Sequence, residues 1–211
     1  MYQVRRDGTI EHWIDIAESS LLNGFTPYAN GHAFTVDSFS GSIFDVSLDS
    51  PGYSLWLQHD LLTIGSAQSL MPGANGIKVC PNAVYVTNTD RARVLRIAIE
   101  PDGSPGAPQT IAERLRGDDF AFDRDGAIYI TTHVHNSLVR LLPNGDRATL
   151  AAAGEGLAGS TACAFGTAPG DDRNLYVTTT GGIDAPLDGV VQEAKLVRLE
   201  VGVSRYPVAF A

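Results

Sequence analysis

The chain has 211 residues, of which 44% are hydrophobic, so it is long and apolar enough to fold around a core and is not a disordered segment. Its formal net charge of −9, without a cluster of basic residues, argues against nucleic acid as a partner and leaves neutral or cationic small molecules. No apolar run reaches the roughly 18 residues of a membrane-spanning helix, and Cys80 and Cys163 are too few for a disulfide framework.

Two short strands are predicted at the start of the chain, at residues 2–5 and 9–13. The N-terminal sequence has no apolar stretch of the kind found in secretory signals, so a cytoplasmic location is expected if this terminus is the native one. The two strands precede the first complete repeat. We interpret residues 1–16 as part of a further repeat whose inner strands are missing.

A pattern of short strands then recurs four times. Each repeat opens with a polar residue, continues with strands rich in Val, Ile, Tyr and Thr, and is punctuated by turns such as 124–126 and 143–145. Successive repeats open 52, 43 and 42 residues apart, at Asn23, Asn75, Asp118 and Ser160. A four-stranded unit with a period of about 40–50 residues is typical of a β-propeller blade, whereas a β-sandwich does not require this recurrence.

We therefore predict one all-β domain over residues 1–211, an incomplete β-propeller of about four and a half blades. The partial blade covers residues 1–16, and the four blades cover residues 22–60, 74–113, 117–151 and 159–211. The outer strand of the last blade is predicted at residues 206–210, although Pro207 weakens it. A ring that does not close leaves unpaired strand edges. The chain is accordingly a fragment, closes in an unusual way, or is covered by a second copy in a homo-oligomer.

Polar residues recur at the positions that a propeller brings to one mouth of its central channel. Inner strands begin at Asn23, Asn75, Asp118 and Thr161, and second strands lead into Asn88, His133, His135 and Thr180. A polar ring at an apolar opening predicts a small-molecule site. The competing interpretation is that Asn-Gly and Asp at these positions only form tight turns.

Some of these residues are better candidates than others. Neighbours in a strand point to opposite faces, so only one of Asp118 and Asp119 faces the channel, and we expect it to be Asp118. Burial without a cation would raise the pKa of Asp118 and suit it to acid–base chemistry. His133 and His135 would share one face of an extended strand, with an exposed loop position as the alternative for His135. The long segment 181–194 is predicted as a lid or pocket wall, or as a passive loop.

Four short motifs resemble those of the gluconolactonase/regucalcin-like (senescence-marker-protein) superfamily, whose members form six-bladed propellers. They are Asn75-Gly76-Ile77 and residues 85–89, 117–123 and 175–182. In its lactonase members a divalent metal, usually calcium, lies at the mouth of the channel, and the resemblance implies that Asn75, Asp118 and Asn23 are its ligands. A glutamate ligand of that superfamily has no counterpart, because the blade that carries it would lie before Met1.

The sequence is most similar to a branch found with fungal and bacterial natural-product pathways, which includes hetero-Diels–Alderases. The first functional hypothesis is a metal-assisted lactone or ester hydrolase with Asp118 and His133 as catalytic residues. Its substrate-binding residues would be Asn23, Asn88, His135, Thr161 and Thr180. The alternatives are a cofactor-free pericyclase of the hetero-Diels–Alderase type and a non-catalytic propeller that binds a ligand or a protein.

Overall fold

The strands form where β-branched and aromatic residues recur between turns that contain Gly, Asn or Asp. The computed structural model describes residues 1–29 and 31–207. In this part of the chain the strands are β1 Tyr2–Val4, β2 Ile10–His12, β3 Leu22–Pro27, β4 His32–Asp37, β5 Ser42–Ser47, β6 Tyr53–Gln58, β7 Ala74–Val79, β8 Ala83–Asn88, β9 Arg93–Ala98, β10 Gln109–Glu113, β11 Phe120–Phe122, β12 Ile128–Thr132, β13 Ser137–Leu141, β14 Arg147–Ala152, β15 Ser160–Phe165, β16 Asn174–Thr179 and β17 Leu196–Glu200. Short 3₁₀ turns occur at Asp60–Leu62, His133–His135 and Ala153–Glu155.

These strands form four antiparallel sheets arranged as propeller blades, together with a hairpin of β1 and β2. Blade 1 contains β3–β6, blade 2 contains β7–β10, blade 3 contains β11–β14 and blade 4 contains β15–β17, each in chain order from the inner strand outwards. The inner strands pack side by side, β3 against β7, β7 against β11 and β11 against β15. This arrangement confirms the predicted incomplete all-β propeller. No helix among the described residues is long and apolar enough to cross a membrane.

The hydrophobic core lies between successive blades. Phe34 and Ile43 of blade 1 pack with Ile77 and Leu95 of blade 2, and equivalent clusters join blades 2 and 3 and blades 3 and 4. Both faces of the middle blades are therefore covered, which explains why their second strands are buried along almost their whole length. Both cysteines are buried and free, as expected for small core residues.

Three of the four inner strands, β3, β7 and β15, have a β-bulge near their start, and these bulges help to position the candidate site. Two residues of the inner strand oppose one of the second strand at Asn23 and Gly24, and again at Asn75 and Gly76. A Cβ on Gly24 would lie 2.3 Å from the carbonyl oxygen of Asn75, and one on Gly76 would lie 2.6 Å from that of Asp118. Because both contacts are with backbone, neighbouring inner strands can approach this closely only where glycine leaves room.

The chain after β17 departs from the prediction of an outer strand at residues 206–210. It turns at Gly202, where φ is +77°, and crosses to the end of β11. There Arg205 pairs with Asp123, and the N–H of Tyr206 donates to the carbonyl oxygen of Phe122 at 3.0 Å. Residues 208–210 lie outside the described residues. In the described part, blade 4 has three strands, and Leu196 on its last strand is 67% exposed.

Substitution of Gly76 by alanine tests the close approach of blades 2 and 3. We expect Gly76→Ala to lower the free energy of unfolding by about 1–3 kcal/mol, because the new methyl group overlaps backbone atoms and forces the inner strands apart. Urea denaturation measures the change. Gly154→Ala is the matched control, since a Cβ there meets nothing within 4 Å. Equal stability of Gly76→Ala and the unchanged protein would contradict the strand contact.

Candidate functional site

The polar residues that begin the inner strands lie next to one another at one mouth of the central channel. The N–H of Gly76 donates to the carbonyl oxygen of Asp118 at 3.0 Å, and the N–H of Asp119 donates to that of Thr161 at 3.2 Å. Together with the contact between Gly24 and Asn75, these bonds link the beginnings of the four inner strands in chain order. The propeller therefore brings Asn23, Asn75, Asp118 and Thr161 to the same end of the channel.

Hydroxyl groups fix the orientation of the two asparagine amides. Asn23 Nδ2 donates to Ser38 Oγ at 3.3 Å, and Asn75 Nδ2 donates to Thr89 Oγ1 at 3.0 Å. Each hydroxyl group itself donates to a backbone carbonyl oxygen of the next blade. Ser38 Oγ lies 2.7 Å from the oxygen of Ala74, and Thr89 Oγ1 lies 2.6 Å from that of Gly117. The two hydroxyl oxygens can then only accept, so they hold the amide nitrogens and leave both Oδ1 atoms available as acceptors.

Asp118 is the acidic group of this mouth and is poorly hydrated, with a side chain that is 18% exposed. Burial raises the pKa of Asp118 to about 7; the charge of Asp119 adds to the rise, and a hydrogen bond from Asn75 opposes it. Asp119 pairs instead with Lys78 at 2.6 Å. Asp118 is therefore a mixture of acid and carboxylate at neutral pH, which suits a group that accepts and returns a proton.

His133 lies beside Asp118, and three side chains surround its imidazole. Nδ1 is 3.6 Å from Asp118 Oδ2, while Nε2 is 3.5 Å from Asp184 Oδ2 and 3.4 Å from Thr180 Oγ1. The two carboxylate distances exceed those of good hydrogen bonds, but such contacts often shorten when substrate binds. His133 occupies the position after the second strand that Ser38 and Thr89 occupy in blades 1 and 2.

Other candidates lie away from this cluster. Asn88 is fully buried, donates to the carbonyl oxygens of Leu61 and Thr63, and accepts from the N–H of Arg91, so it holds the loop between blades 1 and 2. Thr161 contributes its backbone to the mouth, but its hydroxyl contacts Thr178. His135 is exposed, because residues 133–135 form a 3₁₀ turn rather than the extended strand that would give both histidines one face.

Sequence reasoning did not single out Asp184, which reaches His133 from the segment 181–194. The segment leaves the mouth through Gly181 and Gly182, both with positive φ, and returns where the N–H of Gln192 donates to Gly181 at 2.8 Å. The length of this segment predicted a lid or pocket wall. A loop has no regular alternation of side chains, so the strand pattern could not predict which of its residues faces the site. Only the fold shows which of its residues reaches the imidazole.

The apolar cavity of the channel does not coincide with this polar mouth. It has a volume of about 300 Å³ and is lined by the far ends of all four inner strands, including Phe25, Phe122 and Phe165. The cluster of Asp118 and His133 lies at the mouth, and neither residue lines this cavity. The cavity is a separate feature at the opposite end.

The amide and carboxylate oxygens at the mouth are ligand types that suit a hard cation. Among the described residues, no three His, Cys, Asp or Glu side chains are grouped so as to hold a metal. The fixed amides of Asn23 and Asn75 nevertheless offer two acceptor oxygens at the mouth to which Asp118 also belongs. Oxygen ligands are those that calcium prefers, but it takes six to eight of them, so water or substrate would complete the set.

Comparisons with known proteins find the propeller fold at low sequence identity. No protein-family model matches the chain, and no curated protein matches it. A luciferin-regenerating enzyme is 15% identical, with a TM-score of 0.66 over 88% of this chain and 63% of that one. A gluconolactonase from Xanthomonas campestris is 14% identical, with a TM-score of 0.63 over 83% of this chain and 60% of that one. Regucalcin from Agrobacterium tumefaciens, a calcium-binding protein, is 18% identical, with a TM-score of 0.60 over 81% of this chain and 58% of that one.

The chain thus spans about three fifths of the length of these solved proteins. These neighbours, which include gluconolactonase and regucalcin propellers, are all under 25% identical to the chain. At this level of identity the likeness establishes the fold.

The raised pKa of Asp118 predicts a specific pH dependence of stability. Its folded pKa of about 7 lies above the unfolded value of 3.8, so the stability that it contributes is complete below about pH 4 and is lost as the pH rises through about 7. We expect Asp118→Asn to remove this loss and to raise the free energy of unfolding at pH 8 by roughly 2 kcal/mol. Urea denaturation from pH 4 to pH 8 measures it.

Asp37→Asn provides a control of opposite sign. Burial acts to raise the pKa of Asp37, but hydrogen bonds from four backbone N–H groups outweigh it, and the net pKa is lowered. This group therefore stabilises the fold above about pH 4, and its replacement should destabilise the protein at pH 8. If both variants changed the free energy of unfolding at pH 8 in the same direction, the raised pKa of Asp118 would be refuted.

Proposed function

We propose that this chain carries the catalytic mouth of an enzyme that hydrolyses lactones or esters of small molecules. The observation that carries the proposal is the buried carboxylate of Asp118, whose pKa is raised to about 7 beside the imidazole of His133. A base with a pKa near the working pH is the group that general acid–base catalysis needs. The gluconolactonase among the structural neighbours supports the same reaction class.

The proposed reaction uses two groups of the chain. The carboxylate of Asp118 accepts a proton from a water molecule as the water oxygen attacks the carbonyl carbon of the substrate. The bond from that carbon to the ring or ester oxygen then breaks, and its electron pair stays on the departing oxygen. Protonated Asp118 or His133 supplies the proton that this oxygen takes. A lactone gives one hydroxy acid, and an ester gives an acid and an alcohol.

A divalent cation, with calcium as the first candidate, belongs to this proposal. Asn75 and Asn23 would bind it through Oδ1, and Asp118 through its carboxylate. When bound, such an ion polarises a carbonyl group and makes a bound water more acidic. The fixed amides favour it, since Ser38 and Thr89 occupy the amide nitrogens and leave oxygens for a ligand.

A cofactor-free pericyclase is the second candidate. The cluster around His133 favours it, because an imidazole flanked by Asp118 and Asp184 can donate a hydrogen bond to charge that develops on a bound substrate. Asn23 and Asn75 favour it less, since each already donates one of its two amide hydrogens, to Ser38 and Thr89 respectively. Turnover that survives exhaustive chelation would favour the pericyclase over a metal-assisted hydrolase.

Replacement of Asp118 tests the hydrolytic function directly. We expect Asp118→Asn to lower kcat for the best substrate of a lactone and ester panel by about 10²–10⁴-fold, because it removes the general base. In the unchanged protein without calcium, kcat should rise with pH through about 7 as Asp118 loses its proton, whereas a cation bound to this carboxylate would lower its pKa. Acid release is followed in a pH-stat. Asp146→Asn, in an exposed turn, is the control and should leave kcat unchanged.

If no member of the panel is hydrolysed by the folded protein, with or without calcium, the hydrolase proposal fails. If hydrolysis occurs but Asp118→Asn retains it, the assignment of the base is wrong even though the reaction class stands. These two results are distinguishable in one experiment.

Calcium binding has a readout that does not depend on activity. We expect calcium at about 100 times its Kd to stabilise the fold by about 2.7 kcal/mol, and hence to raise the Tm. Asn75→Ala and Asp118→Ala should each remove most of this rise, while Asp146→Ala should keep it. A Tm that does not respond to calcium, or a response that persists in Asp118→Ala, would contradict this cation site.

A further inference from the structure

The apolar cavity at the far end of the channel has features of a binding site of its own. The ends of all four inner strands line it, so β3 and β15 face each other across it although they belong to the first and last blades. Its lining includes the aromatic residues Phe25, Phe122 and Phe165, and Cys163 is a further apolar residue of the lining. A volume of about 300 Å³ is at the lower end of the range for small-molecule pockets.

The segment that follows β17 forms one side of this cavity. Arg205 and Tyr206 line it, and they are held in place by the pairing of Arg205 with Asp123 and by the bond from Tyr206 N–H to Phe122. The N–H of Arg205 also donates to the carbonyl oxygen of Asp172 at 2.8 Å. These backbone bonds fix the segment beside the cavity, and Arg205 is part of the lining.

Two cationic residues, Lys78 and Arg205, line this cavity in a chain whose formal net charge is −9. Lys78 is already neutralised by Asp119 at 2.6 Å. No described carboxylate lies within ion-pair distance of the Arg205 guanidinium, which accordingly keeps its charge for a ligand. A planar guanidinium binds a carboxylate through two parallel hydrogen bonds.

We propose that this cavity is a second ligand site, which binds a small carboxylic acid with a flat apolar body. The apolar part lies among the three phenylalanine rings, and its carboxylate pairs with Arg205 at the rim. The site uses none of the residues of the polar mouth, so it does not depend on the reaction proposed there. An acid is favoured over a neutral molecule because the one charged group at the rim without a carboxylate partner is a cation.

The test uses naphthalene-2-carboxylate and its neutral analogue naphthalene-2-methanol as probes, with calorimetry as the readout. We expect the acid to bind about tenfold more tightly than the alcohol, since only the acid forms the charged pair. Arg205→Gln should lower the affinity for the acid to that for the alcohol, and it should leave the affinity for the alcohol unchanged. Arg198→Gln is the matched control, because it removes the same charge from an exposed site on β17 outside the cavity.

A second variant tests the location. Ala164 lines the cavity and is exposed, so Ala164→Trp should fill the space and weaken both probes at least about tenfold. Asp118→Asn, at the opposite mouth, should keep both affinities. If Ala164→Trp fails to fold, as judged by circular dichroism, the pair Arg205→Gln and Arg198→Gln decides alone.

Several results would overturn the proposal. Equal affinity for the acid and the alcohol would do so, as would equal effects of Arg205→Gln and Arg198→Gln. Probe binding that a folded Ala164→Trp retains would place the ligand elsewhere. Binding that appears only after removal of residues 208–211 would make that segment of the chain the occupant, instead of a small acid.

Discussion

The mouth of this propeller depends on hydrogen bonds from hydroxyl groups of one blade to the first carbonyl groups of the next. Thr87 Oγ1 donates to the carbonyl oxygen of Asp118 at 2.5 Å, and Thr131 Oγ1 donates to that of Thr161 at 2.7 Å. Both threonine side chains are fully buried, so these bonds form where water cannot compete and where an unpaired carbonyl group would be costly. They fix the distance between inner strands, and hence the spacing of the polar ring.

The same bonds explain the chemistry available at the mouth. The hydroxyl groups of Ser38 and Thr89 donate hydrogen bonds to carbonyl oxygens of the next blade. Their oxygens can therefore only accept hydrogen bonds from Asn23 and Asn75. The asparagine oxygens then remain beside Asp118, whose carboxylate is held in a poorly hydrated place that raises its pKa. The charged form of Asp118 is destabilising for the fold. Lys78 pairs with Asp119 and neutralises it, so the second carboxylate next to Asp118 adds less repulsion, while Asp118 itself has no such partner in Lys78. An arrangement that reduces stability at neutral pH is typical of a functional site.

The four inner strands thus serve both ends of the channel. Asn23 and Asn75 lie in bulges near the beginnings of these strands and Asp118 lies just before β11, whereas Phe25, Phe122 and Phe165 line the apolar cavity near the strand ends. Lys78 lines this cavity, and its ammonium group pairs with Asp119, the sequence neighbour of Asp118.

The amino-acid sequence by itself determined the repeats and the residues that open them. The alternation of strands and turns with a period of 42–52 residues predicted the propeller, and the position of each opening residue predicted that Asn23, Asn75 and Asp118 share one mouth. It also predicted Asp118 rather than Asp119 as the acid, because neighbours in a strand face opposite sides. The prediction of the propeller succeeded because it depends on periodicity, which local residue types encode, while the role of Asp118 stays a prediction.

Only the tertiary structure decided the contacts made by loops and chain crossings. Asn88 occupies a repeat position like that of the mouth residues, but a loop from the preceding blade surrounds it and uses all its hydrogen bonds. Asp184 lies in an irregular segment with no period to place it, yet the fold brings it to 3.5 Å from His133. Residues 205 and 206 were expected in blade 4 and cross to β11 instead, because the backbone groups at its end offer them partners there. Contacts between residues far apart in the chain follow from packing, which no local pattern records.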